Sequence, residues 1–213
     1  MTFEKEFKDA ISRLSSAEKD KLIFRLLKKD LDLANQLLFE LISDDSKEDR
    51  RKEAKKQIEK RVEWSKKGIQ YSYASPGILL MEMRESSGII NDHVKITKDK
   101  YGEIYLHIFV TKEYLQIYND NFKDFPAGKL YTLNIYLVAK VFKIMILLKK
   151  QHDDLLMDFI DDLEKIGNLF KENPNLMKIA KHNELDINWL INNNIPDNIA
   201  EIEKNLRQRG YLK

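Results

Sequence analysis

The sequence predicts an all-α protein, and three observations carry that expectation. Its 213 residues include only seven glycines and four prolines, well under the average usage of about 12% for the two together. Apolar residues recur at intervals of three and four along most of the chain, the spacing that lays one stripe along a helix. Charged residues make up 34% of the total, enough to solvate the outer faces of long helices.

The first forty residues read as three short amphipathic helices. Phe3, Phe7, Ala10, Ile11 and Leu14 repeat at helical spacing. Ser15 followed by Glu18 is a capping-box pattern, opening a second helix with the stripe Leu22, Ile23, Leu26 and Leu27. Asp30 is placed to cap a third, striped by Ala34, Leu37, Leu38, Leu41 and Ile42. With such short joins, the three should pack as antiparallel neighbours.

Residues 47–67 form one long charged helix with a thin apolar line, Ala54, Ile58 and Val62 with Trp64 as a further candidate, and with Gly68 as its expected C-cap. Ser75-Pro76 opens the next, with proline in the first turn where a missing N–H is harmless. Leu79, Leu80 and Met83 give it an apolar side, and Ser86-Ser87-Gly88 reads as a loop. Between residues 94 and 110 two readings compete. Val94–Ile96 and Ile104–Val110 suit the strands of a minor β-hairpin. Ile89, Ile90, His93, Val94 and Thr97 instead fall on one helical face, with Gly102 dividing that helix from a second over Glu103–Tyr118. The helical reading is preferred.

Phe125-Pro126-Ala127-Gly128 is the clearest break, and residues 121–129 mark a weak internal boundary. Leu130–Lys150 is apolar nearly all round, as a central buried helix is. His152–Lys171 reads as one amphipathic helix with an acidic face. Asn173-Pro174 ends it, Ile195-Pro196 opens a last helix, and Gly210 closes that one. Ten or so helices in one domain over 1–213 can build a multi-helix bundle or a short α-solenoid-like stack of helical hairpins. No repeat of 30 to 50 residues separates the two.

Composition narrows the function. The chain has no cysteine, so disulfides, thiol nucleophiles and thiolate-bound metals are excluded, and a reducing, cytoplasmic setting is expected. Met1–Phe7 shows no apolar leader pattern. The most apolar run, Leu133–Leu148, carries Lys140 and Lys143 and is shorter than the ~20 residues a bilayer span needs. No membrane partner is expected, and a net charge of +2 gives no strong field for nucleic acid.

Three groups of residues bear chemistry. The basic steps Arg50, Arg51, Lys52, Lys55, Lys56, Lys60 and Arg61, with Trp64 to stack on a base, suit a phosphate backbone. Interleaved acids weaken the pattern, since ten Lys/Arg between Asp44 and Lys67 meet seven Asp/Glu. Asp154, Asp158 and Asp161 share one face of a continuous helix and could converge on Mg²⁺, but no second carboxylate motif follows to complete such a site. The plainer reading sets those acids in water, where Asp153 and Asp154 complement the helix dipole. The four histidines include no pair at i, i+4 for zinc. Tyr71 and Tyr73 lie outside the apolar stripes, as aromatic residues at protein-binding surfaces do. No catalytic or cofactor motif is present, so none is expected. The leading reading is a non-enzymatic protein–protein interaction or scaffold module. Nucleic-acid binding through 47–67 and a Mg²⁺-dependent helical enzyme built on 153–162 are the alternatives. Opposed charges, basic over 47–67 and acidic over 153–172, also suit self-association.

Overall fold

The computed structural model describes residues 2–71 and 75–212. The chain is 78% helical, in twelve helices with no strand among the described residues. Three short helices come first: α1 (Lys5–Ser12), α2 (Ser16–Leu27) and α3 (Leu31–Leu41). Four long ones follow: α4 (Lys47–Gln70), α5 (Pro76–Thr97), α6 (Lys100–Asn121) and α7 (Ala127–Lys149). Shorter pieces complete the chain: α8 (Asp153–Met157), α9 (Ile160–Lys171), α10 (Pro174–His182), α11 (Asn188–Ile191) and α12 (Ile199–Gln208).

Local chemistry sets most of the starts. The Ser15–Glu18 capping box forms in both directions, and Asp30 accepts from the Leu33 amide. Ser46 and Asp49 make a second capping box at the head of α4. Ser75 caps α5 with Pro76 behind it, and Asn173 does the same for α10 with Pro174. Each side chain satisfies an amide that has no partner inside its own helix.

The core gathers around α6 and α7. α6 packs on α4, α5, α7 and α9, while α7 packs on α5, α10 and α12 as well. In a solenoid each repeat touches only its neighbours; here two central helices are shared by elements far apart in sequence. The molecule is a bundle. By length and composition α7 could cross a bilayer, but 61% of its most apolar window is buried inside the fold. α6 is buried over most of its surface as well, through Ile104, Leu106, Ile108, Val110, Tyr114 and Tyr118. Its intervening His107, Thr111 and Asn119 hide this from a hydrophobicity reading.

Several boundaries differ from the sequence reading. No hairpin forms over 94–110: α5 runs to Thr97, Lys98 turns the chain with a left-handed φ of 53°, and α6 starts at Lys100. Gly102 lies inside that first turn rather than between helices. Ser86-Ser87-Gly88 belongs to α5, because its hydroxyls find partners across the bundle. Ser86 Oγ is 3.2 Å from the Tyr114 hydroxyl, and Ser87 Oγ is 3.0 Å from that of Tyr136. α4 continues past Gly68 to Gln70, and Pro196 precedes α12 by three residues. The segment 152–171 is two helices, parted at Asp158 and Phe159 so that the Phe159 ring buries against Tyr101, 5.3 Å between centroids. Gly167 lets α9 approach α11 closely; a Cβ there would sit 2.5 Å from Ile191 Cγ1.

Candidate interaction surface

The first three helices form where the caps and stripes place them, but they contribute nothing to the core. Not one residue of α1, α2 or α3 is buried. Fifteen large hydrophobic side chains are exposed among the described residues, and ten of them lie between Phe3 and Ile42. Leu31, Leu38 and Leu41 share the outward face of α3, at 71%, 54% and 77% exposure. Ile23, Phe24 and Leu26 stand out from α2, and Phe3 and Phe7 pair their rings 5.4 Å apart on α1. At on the order of 100 Å² each, these ten side chains together leave roughly 1,000 Å² of apolar surface in water.

α3 attaches this arm to the bundle. It packs on α5, with Lys95 Nζ 3.5 Å from the Asp32 carboxylate, while Arg50 lies over the Phe39 ring at 6.0 Å. The platform beneath is fixed where α4, α5 and α6 meet. Arg51 reaches from α4 to hold the Asp99 carboxylate with both ends of its guanidinium, at 2.8 and 3.0 Å. His93 Nε2 of α5 lies 3.1 Å from Asp99 Oδ2; the carboxylate only accepts, so that nitrogen carries the hydrogen. The Gly102 amide donates to Asp99 Oδ1 at 2.9 Å, capping α6. Burial opposes the Asp99 charge, but these hydrogen bonds outweigh it and hold its carboxyl well below the usual carboxylate range. Arg51 also stacks on Tyr101 at 4.8 Å.

Gly102 is required by this contact. A Cβ on it would lie 2.1 Å from Asp99 Oδ2 and 2.8 Å from Arg51 Nε. Gly102→Ala should therefore destabilise the fold by about 2 kcal/mol, the order of an overpacked core, although alanine is the better helix former. Urea unfolding checks this; a variant as stable as the parent would mean that the Asp99 contact yields without cost.

The basic residues of α4 are mostly engaged within the molecule. Arg50 pairs with Asp45 at 2.9 Å, Arg51 with Asp99, and Lys52 with Glu48 at 2.9 Å. Lys55 lies over the Tyr105 and Phe109 rings and 3.7 Å from Glu59. Arg61 joins Glu82 at 2.8 Å and Glu85 at 3.3 Å. Lys56, Lys60 and Trp64 remain on the solvent side. Tyr71 is exposed at the C-cap of α4, and Tyr73 lies outside the described residues.

Asp154, Asp158 and Asp161 are all exposed, and the single helix expected to carry them is interrupted at Asp158 and Phe159. Among the described residues no group of three or more His, Asp or Glu side chains could hold a metal ion. Asp162 instead forms an ion pair with Lys112. A cleft of about 180 Å³ between α4 and α5, lined by Arg50, Gln57, Ile89, Asp92 and His93, is smaller than the ~300–1,000 Å³ of small-molecule sites.

One buried polar group went unread in the sequence. Lys140 of α7 is only 6% exposed, and burial, with help from Lys143, pushes its amine down to about 7. Its Nζ lies 3.5 Å from His107 Nδ1 and 5.4 Å from the Tyr136 ring centre. Burial and the two lysines likewise keep His107 well below the ordinary imidazole range, and its Nε2 has no partner among the described residues. The signal was present as a lysine within the all-round apolar run.

Fold and surface together define the class: an all-α bundle carrying an unburied amphipathic arm of three helices. No family model matches the chain, and neither curated proteins nor solved structures give a match.

Proposed function

We propose that the chain is a soluble, cytoplasmic, non-enzymatic protein-binding module whose working surface is the α1–α3 arm. The observation that carries this reading is the exposure of ten large apolar side chains on capped, amphipathic helices. Large apolar side chains exposed in this number, set among charged residues, are what partner-binding faces keep in water. The bundle closes its core without the arm, none of whose helical residues is fully buried. Lack of cysteine and burial of α7 fit the cytoplasmic setting.

Nucleic-acid binding through α4 is less well supported, because Arg50, Arg51, Lys52, Lys55 and Arg61 already face carboxylates or rings. Lys56, Lys60 and Trp64 alone would give affinity with a shallow salt dependence. A Mg²⁺ enzyme has still less to build on, with its aspartates spread over a helix break.

The test is a triple variant, Leu31→Glu/Leu38→Glu/Leu41→Glu. All three side chains are exposed, so the circular dichroism spectrum and unfolding midpoint should stay near those of the parent. Proteins captured from cell extract on the parent chain should be lost from the variant. Identical captured sets on both would overturn the reading.

A further inference from the structure

We propose that the α1–α3 surface binds a second copy of this chain, across a two-fold axis that sets α2 of one protomer against α3 of the other. The proposal rests on the interaction reading above and names its partner.

Charge is the first argument. Residues 15–29, spanning α2, hold five Lys/Arg against two acids, whereas residues 30–43, spanning α3, hold three acids and no base. The segments thus balance at +3 and −3. No ion pair among the described residues involves Lys19, Lys21, Arg25, Lys28 or Lys29, although the two helices adjoin within the chain. Among the described residues the one ion pair from α3 is Asp32 with Lys95. A two-fold interface is isologous, so a contact from i to j recurs from j to i. Setting α2 on α3 then matches opposite charge twice, while α2 on α2 or α3 on α3 would oppose like charge.

Size is the second. A stable dimer of standard dimensions takes about 800 Å² from each partner. α2 and α3 with its C-cap residue carry eight of the exposed large hydrophobic side chains, roughly 800 Å² at on the order of 100 Å² each. The outward face of α3 also has helix-packing form, since Leu31, Leu38 and Leu41 repeat at i, i+7 and i+10. That ridge can seat beside Ile23 and Phe24 on the facing α2.

Sedimentation equilibrium on the purified full chain tests this across roughly 1 to 100 µM, where interfaces of this size associate. The parent should be dimeric, and Leu31→Glu/Leu38→Glu/Leu41→Glu monomeric with an unchanged helical spectrum. Two charge-reversed chains probe the arrangement. Arg25→Glu/Lys28→Glu makes both helices acidic, and Asp32→Lys/Glu40→Lys makes both basic. Each alone should lose self-affinity by about tenfold or more, and an equimolar mixture should recover a heterodimer. A folded parent that stays monomeric at every concentration overturns the proposal, as does a mixture that fails to associate. Neither result depends on extract capture, so loss of the self-partner is distinct from loss of the interaction reading. A monomeric parent whose captured proteins vanish with the triple variant binds another protein instead.

Discussion

Asp99→Ala is expected to lower the unfolding free energy at pH 7 by about 3 kcal/mol, a value typical of breaking a buried charge pair. The side chain is one residue in 213, yet it receives bonds from three helices. Its loss leaves the Arg51 guanidinium facing an apolar gap, frees the Gly102 amide, and removes the partner of His93. For a chain of this length the midpoint of thermal unfolding should fall by roughly 6 to 12 °C. Asp99→Asn should cost less, since it keeps the cap but not the charge. The deficit also has a pH signature. Because the folded-state pKa is depressed, the stabilisation is fully present above the ordinary aspartate value. It is lost as pH falls below that value. The gap between parent and Asp99→Asn should therefore narrow below about pH 4. A gap unchanged from pH 7 to pH 3 would show that the carboxylate's charge plays no part.

Lys140→Met is expected to act in the opposite direction, raising stability at pH 7 by on the order of 3 kcal/mol. Methionine has nearly the volume of lysine and removes an amine that the core disfavours in its charged form. The groups facing it are His107, Lys143 and Tyr136, none of which supplies a countercharge at neutral pH. The folded amine titrates at about 7 and the unfolded one near the ordinary lysine value. Below pH 7 both states hold the proton and the full penalty stands. Between about pH 7 and 10 only the unfolded chain holds it, so parent stability should climb by up to about 1.4 kcal/mol per unit. Denaturant midpoints from pH 6 to 9 read this below the range where the buried tyrosines ionise. The advantage of Lys140→Met should hold up to about pH 7 and shrink from there to pH 9. Parallel curves would mean that the amine reaches water or a partner in solution.

What could be read in advance divides by range of interaction. Ser15, Asp30 and Ser75 cap where their spacing places them, because a cap involves a side chain and an amide three residues away. Leu133–Leu148 is central, because a helix apolar all round has no face to give to water. Ser86 and Ser87 were misplaced for the converse reason: serine reads as a loop former until Tyr114 and Tyr136 supply partners from other helices. Asp99 carries no mark in the sequence, since Arg51 lies 48 residues away. The basic helix meets the same limit. Its cations are countable in the sequence, but the carboxylates of Glu82 and Asp99 that engage two of them are not.

The arm shows the same division most clearly. Sequence determined that residues 3–42 form three amphipathic helices, because caps and a 3.6-residue period are local properties. It could not determine which face of the bundle, if any, would cover their stripes. An apolar stripe carries no label for its partner, and burial depends on shape across the whole molecule. Tertiary structure decided that α4 to α12 close a core without those stripes. Local helix-forming chemistry therefore made the arm, and global packing left its apolar side in water.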